Sequence, residues 1–211
     1  METAFSGIRD ICRKHHITNV TLVVPTKRLF EGSIVGDFMG AKATKALLKG
    51  EDVLLGSEGP SVRLATEGKF SKNRSSNLGL VVGAHISEDG MAKIDDAIGA
   101  EAILYLPWNE IEGRAWLNTW QPETLGPTTW KSVILELPEE IEAGLINLTE
   151  AINSSTGLLH PIDKAFAERI ISDLRTKGHE IDPTKIKQRV LQMGWSSKGA
   201  AALEAIAKKH R

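Results

Sequence analysis

Residues 78–110 read LGLVVGAHISEDGMAKIDDAIGAEAILYLPWNE. The first seven are almost wholly apolar and do not alternate, which is the pattern of a strand covered on both faces. Ser87 is suited to cap a helix, with Glu88 and Asp89 at the positive end of its dipole. Met91, Ile94 and Ile98 then recur at helical spacing, and Gly99 is placed to end the helix. Residues 101–106, EAILYL, make a second apolar run closed by Pro107. The stretch is a strand–helix–strand unit.

The same alternation extends on both sides. Phe5, Ile8, Ile11 and Cys12 form one face of a helix over 2–15. Residues 18–24, TNVTLVV, are β-branched and end at Pro25, as a strand does. Residues 29–48 are helical with interruptions at Gly36 and Gly40, and Leu29, Phe30, Ile34, Phe38 and Met39 make an apolar stripe. Residues 53–55 and 62–66 flank the turn-forming GSEGPS and read as a hairpin or two short strands. Residues 69–77 are a polar, basic surface loop. Beyond the central unit, 110–120 is a helix carrying Trp116 and Trp120 on one face, 132–137 (SVILEL) a strand and 138–152 a helix. Strands alternating with helices imply parallel pairing and right-handed crossovers.

Residues 153–160 read as a linker. Three helices follow over 161–177, 183–193 and 197–209. Phe166, Ile170, Ile171 and Leu174 give the apolar face of the first, Ile186, Val190, Leu191 and Met193 that of the second, and Ala201, Leu203 and Ile206 that of the third. The expected fold is therefore α/β: a mainly parallel, Rossmann-like sheet with helices on both faces in three layers over 1–155, then a small basic three-helix region over 158–211.

The composition is that of an ordinary globular chain, 41% hydrophobic and 25% charged over 211 residues. The net charge of -1 argues for neither a nucleic-acid nor a membrane partner. The charge is uneven: residues 158–211 hold 11 Lys+Arg and 6 Asp+Glu, a balance of +5, which leaves -6 for the rest. No apolar run reaches the roughly 18 residues of a membrane span. Cys12 is the single cysteine, which precludes an intrachain disulfide and suits a reducing compartment. With no signal-peptide pattern, the expected location is the cytoplasm.

In open parallel sheets, ligands bind outside the carboxyl ends of the strands. Three such ends carry chemistry here: Pro25-Thr26-Lys27-Arg28, then Gly83-Ala84-His85-Ile86-Ser87, then Pro107-Trp108-Asn109-Glu110. If the strands are neighbours, these turns meet. Lys27 and Arg28 then suit an anion. His85 is a candidate catalytic group for proton transfer, because imidazole titrates near neutrality. Ser87, Trp108, Asn109 and Glu110 complete the candidate binding set, Trp108 as a stacking surface. Each residue also has a structural role open to it: solvent-exposed turn cations, a packing indole, and helix caps at Ser87 and Asn109.

Several familiar chemistries are missing. No G-x-G-x-x-G opens a helix after a strand, and Gly36–Lys42 (GDFMGAK) lacks the spacing and ending of a phosphate loop. Cys12 and His15 form a single C-x-x-H pair, too little for zinc. There is no G-x-S-x-G. Met193-Gly194-Trp195-Ser196 joins two helices and locally resembles the Met-Gly-aromatic loop of ubiquitin-associated modules and, more loosely, the glycine turn of a helix-turn-helix, over about residues 185–209. Such a module has a further helix after this point and the sequence stops at Arg211, so ubiquitin binding is not carried over.

These features lead to a small-ligand-binding α/β domain, open as to enzyme or binding protein, with an anionic ligand such as a nucleotide or phosphate ester. No cofactor is named by the sequence. The alternative is an interaction protein whose basic helices, with Lys198, Lys208, Lys209 and Arg211, bind nucleic acid or a protein through residues 185–211. A homo-oligomer joined through the Trp-bearing helix is the third reading.

Overall fold

The computed structural model describes residues 1–70, 77–126, 135–152 and 158–209. The chain divides into two compact units, Met1–Trp116 with Pro122–Lys131, and Leu117–Gln121 with Ser132–Arg211.

The first unit contains, in order, α1 (Glu2–His15), β1 (Asn19–Val24), α2 (Lys27–Glu31), α3 (Ile34–Met39), α4 (Ala41–Lys49), β2 (Val53–Leu54), β3 (Ser61–Thr66), α5 (Glu67–Phe70), β4 (Gly79–Ala84), α6 (Glu88–Asp95) and β5 (Ala100–Leu106). The helix α7 (Glu110–Trp120) begins in this unit, and its residues from Leu117 onward group with the second. Among the described residues the strands form one mixed five-stranded sheet in the order β2-β3-β1-β4-β5. The pairs β1/β3, β1/β4 and β4/β5 are parallel, and β2/β3 is antiparallel. The fold is thus broadly α/β.

The unbroken apolar run of β4 has a direct explanation. Leu80, Val82 and Ala84 join Val20, Leu22 and Val24 of β1 in one buried cluster with Phe5, Ile8, Phe30 and Leu47. Val81 and Val23, on alternate positions, join a different cluster with Phe70, Ile86, Met91, Ile94 and Tyr105. Successive strand residues point to opposite faces, so a strand with apolar contacts on each face has no position left for a polar residue. Leu80, Val81 and Val82 are fully buried, each contributing about 1.5–3 kcal/mol in apolar burial. Gly83 lets α6 approach: a Cβ there would lie 2.6 Å from Met91 Sδ and 2.9 Å from Ile86 Cδ1.

Four expectations change. The stripe over 29–48 is broken into three short helices, with Thr26 and Ser33 accepting from the N–H groups of Leu29 and Gly36. Each new cap resets the helical phase, so Phe30 and Val35 are buried while Leu29, Ile34 and Phe38 are exposed. The helix after Ser87 ends at Asp95, before Gly99, and Ile98 is 75% exposed. The polar loop begins later than expected, because Glu67–Phe70 is α5, and 71–76 lie outside the described residues. Of the strand expected over 132–137, residues 132–134 lie outside the described residues and 135–137 are not in a strand.

The second unit is helical: α8 (Glu139–Ala151), α9 (Pro161–Thr176), α10 (Pro183–Gln192) and α11 (Ser197–Lys209). The domain boundary expected at 155–158 falls inside it, because Ile141, Leu145 and Leu148 of α8 share a buried cluster with Ile171, Ile186, Val190, Trp195 and Leu203. Three short helices alone would bury little apolar surface, and α8 supplies the missing wall. Most of the expected linker, 153–157, lies outside the described residues. On α11 the inward position is Ala200, with Ala201 exposed. Trp195 is buried, its indole N–H donating to Thr149 Oγ1 at 2.9 Å. Arg189 forks onto both carboxylate oxygens of Glu142.

Candidate functional site

A crevice of about 460 Å³ opens in the first unit where β1 and β4 end. Val24 and Pro25 come from the end of β1, and Ala84, His85, Ile86 and Ser87 from the end of β4. Leu29, Phe30, Ser33 and Val35 cover one side, and Glu67, Trp108 and Glu112 complete the wall. The position follows from the strand order. From β1 the chain goes to β2 and β3 on one side and then back across to β4 on the other. Connections leaving neighbouring strand ends in opposite directions part the backbone there.

His85 is the centre of the crevice. Its backbone sits at φ 55°, in the left-handed region, with its N–H donating to Leu106 O at 2.8 Å. A residue with a Cβ rarely occupies this region, though His enters it more readily than most. The turn is held from beneath by Tyr105, whose buried hydroxyl donates to Ile86 O at 3.0 Å. Burial is the main reason that hydroxyl's pKa is pushed up to about 12, with the charges of Glu112 and Glu88 adding to it. The His85 ring meets Trp108 edge to face, centroids 4.5 Å apart. Burial lowers the His85 pKa, and the nearby Glu112 charge opposes this only in part. The ring is therefore mainly neutral at pH 7, with one nitrogen to donate and one to accept.

The two cations expected at this rim are absent from the crevice wall. Lys27 donates from Nζ to the Leu48 carbonyl in the last turn of α4, where a cation satisfies an orphan acceptor and the negative end of the helix dipole. Arg28 is exposed on α2. Asn109 is exposed and its Oδ1 accepts from the N–H groups of Ile111 and Glu112, at 2.9 and 3.1 Å, as the cap of α7. Ser87 both lines the crevice and caps α6, accepting from Gly90 at 3.2 Å. Glu110 opens α7, and its side chain lies outside the described residues. Of the candidate set the structure thus brings together His85, Ser87 and Trp108.

Sequence reasoning missed Ser33, Glu67 and Glu112. Glu67 follows β3, whose parallel pairing with β1 carries its carboxyl end to the same rim. Its carboxylate is engaged by Lys93 Nζ at 2.7 Å. Ser33 is 8% exposed and donates to Phe30 O at 2.8 Å. Among the described residues the crevice is consequently apolar over most of its wall, with two carboxylates, one imidazole and two hydroxyls, and no Lys or Arg lining it. Among the described residues no cluster of three or more His, Cys, Asp or Glu could hold a metal ion.

In the second unit, the basic residues are partly neutralised: Glu204 lies 2.7 Å from Lys208 and 3.7 Å from Lys187. Lys198 and Lys209 are exposed, and Arg211 lies outside the described residues. Residues 137–211 match a family model described as "Domain of unknown function (DUF1889)". The match covers about a third of the chain, within the helical unit, and none of the crevice. No curated protein and no solved structure matches the chain. Among the described residues no helix is long and apolar enough to cross a membrane.

Proposed function

We propose that the α/β unit is a Rossmann-like, three-layer small-molecule-binding domain whose crevice takes a ring-bearing ligand, neutral or cationic. The observation that carries this is His85, held left-handed at the end of β4 and set edge-on against a Trp108 that is 66% exposed. Backbone held in a sparsely populated region at a crevice is a common feature of ligand-binding turns. An indole left largely in solvent beside an apolar hollow is a surface for a ring to stack on. The layered part of the reading is supported by the two buried clusters on alternate residues of β1 and β4.

The charge of the wall selects the ligand. The crevice wall carries Glu112 and Glu67, the latter already engaged by Lys93, and no Lys or Arg among the described residues, while Lys27 is engaged by Leu48. A phosphate would sit among carboxylates there. A neutral or cationic heteroaromatic ring, with His85 as hydrogen-bond partner or proton acceptor, matches the lining better. The buried free thiol of Cys12 supports a reducing, cytoplasmic setting.

The test is a fluorescence and thermal-shift screen of the full chain with nucleosides, aromatic amines and the phosphorylated forms of the same compounds. Uncharged and cationic ring compounds are expected to bind, with Trp108→Ala and His85→Gln each weakening binding tenfold or more. Binding of any hit that is indifferent to both substitutions, or a preference for the phosphorylated forms at this site, overturns the reading.

A further inference from the structure

We propose that the first unit carries a second site, an oxyanion-binding groove at the opposite ends of the strands, that takes a small phosphorylated compound. The groove has a volume of about 630 Å³ and is lined by Arg9, Cys12, Arg13 and His16 of α1 and its cap, by Ile17 and Thr18 leading into β1, and by the loop 55–60. It thus lies where β1 begins, while the crevice of His85 lies where β1 ends. The two sites share no lining residue.

The groove is built by helical spacing. Positions 9, 12, 13 and 16 fall three and four apart, so one face of α1 presents two guanidiniums and an imidazole together. The apolar residues Phe5, Ile8 and Cys12 are buried on the neighbouring stripe, which fixes the rotation of the helix and with it the direction of Arg9 and Arg13. His16 is in the left-handed cap position at φ 57°, and its N–H donates to Cys12 O. That cap turns the chain sharply into Ile17, so the imidazole falls at the groove.

Facing these groups is the loop Leu55-Gly56-Ser57-Glu58-Gly59-Pro60, closed by Leu55 N–H donating to Pro60 O at 3.0 Å. Gly56 is at φ 92°. A Cβ at Gly59 would lie 1.9 Å from Leu55 O, so only glycine allows the loop to fold back this tightly. Tightly folded glycine loops are a known anion-binding element, and Ser57 is part of the groove's lining.

The balance of charge decides the ligand class. Among the described residues the lining holds the guanidiniums of Arg9 and Arg13 against one carboxylate, Glu58. Asp10 lies 3.6 Å from Arg13, with both side chains more than half exposed, and a pair so open to water yields readily to a better partner. Cys12 adds no negative charge, because burial and the charge of Glu101 raise its pKa. The carboxyl end of α1 contributes a partial negative charge of about half an electron, which two guanidiniums exceed. Guanidinium is the side chain that meets a phosphate with two parallel hydrogen bonds. The volume leaves room for more than a bare phosphate, and the half-buried Leu55 in the lining can meet an apolar part of the ligand.

The experiment is titration of the full chain at low salt with pyrophosphate, inorganic phosphate and citrate, followed by calorimetry and by amide shifts of an isotopically labelled sample. Pyrophosphate is expected to bind and to move the Gly56, Ser57 and Gly59 amides, with affinity falling as salt rises. Arg9→Gln and Arg13→Gln should each lower affinity about tenfold, one bidentate contact apiece. Both residues are exposed, so folding is retained. Lys14→Gln, an exposed cation on the same helix outside the groove, should change affinity less than twofold, and Trp108→Ala should leave it unaltered. No saturable pyrophosphate binding, shifts confined to the His85 crevice, or binding indifferent to Arg9 and Arg13 would overturn the site. Citrate bound more tightly than either phosphate would overturn its assignment to phosphorylated ligands.

Discussion

The left-handed backbone at His85 makes a prediction that separates strain from binding. Replacing His85 with alanine removes the ring and keeps the Cβ, so the crowding of a left-handed residue, about 1–2 kcal/mol, remains. Replacing it with glycine removes both, and adds back about 0.5–1 kcal/mol of chain entropy lost on folding. The glycine variant should therefore be more stable than the alanine variant by roughly 0.5–1 kcal/mol. Against the wild type, each loses the edge contact with Trp108, which is worth about 0.5 kcal/mol because that indole is two-thirds in solvent. His85→Gly should then lie close to wild type and His85→Ala below it. The assay is hydrogen exchange of the β4 amides, Leu80 to Ala84, whose opening reports the α/β unit by itself. Exchange in the alanine variant should be about two- to fivefold faster than in the glycine variant. Both variants should lose the ring-bearing ligand. An alanine variant as slow as or slower than the glycine variant would refute the claim that this turn stores strain.

Other outcomes follow from particular contacts. Gly83→Ala should destabilise the α/β unit by about 1–3 kcal/mol through overpacking, since its Cβ would press on Met91, Ile86 and Ile94; chemical denaturation measures it. Because burial lowers the folded pKa of His85, the unfolded chain binds the proton more readily. Its contribution is therefore whole above the unfolded value of about 6.5 and is lost as pH falls below it, a slope that His85→Gln should remove in thermal melts across pH 5–8. In the helical unit, Trp195→Phe should cost about 1–3 kcal/mol, because the Thr149 hydroxyl loses its indole donor; unfolding followed by far-ultraviolet circular dichroism checks this.

Much of the α/β body was legible because its chemistry is local. The doubly buried β4, the Ser87 cap and the strand ends at Pro25 and Pro107 are written in consecutive residues, and they led to three turns meeting along β1, β4 and β5. What escaped depends on partners distant in the chain. The direction of Lys27 is set by the Leu48 carbonyl of α4, twenty-one positions away. The place of Glu67 depends on β3 pairing in parallel with β1, although its nearer neighbour β2 pairs with it as a hairpin. Apolar periodicity likewise marked α8 as a helix but held no sign that its buried stripe belongs with Ile171 and Val190 and not with the sheet.

The loss of Lys27 from the crevice changes the chemistry of both ends of β1. An ammonium held by a helix carbonyl satisfies that helix's orphan acceptor and is withheld from the crevice. With Glu112 and the Lys93-paired Glu67 on the wall, and no Lys or Arg lining it among the described residues, an anion is disfavoured where the strands end. The cations that do converge are those of α1, and helical spacing alone puts Arg9 and Arg13 at the end where β1 begins. Freeing the ammonium is therefore informative: Lys27→Met should leave the preference of the crevice for uncharged rings intact and pyrophosphate binding at α1 unaltered, because neither site uses that charge. If Lys27→Met abolished ligand binding in the crevice in a screen by tryptophan fluorescence, with the fold intact by circular dichroism, the ammonium would have to reach the ligand, and the division of charge between the two ends of the strand would be wrong.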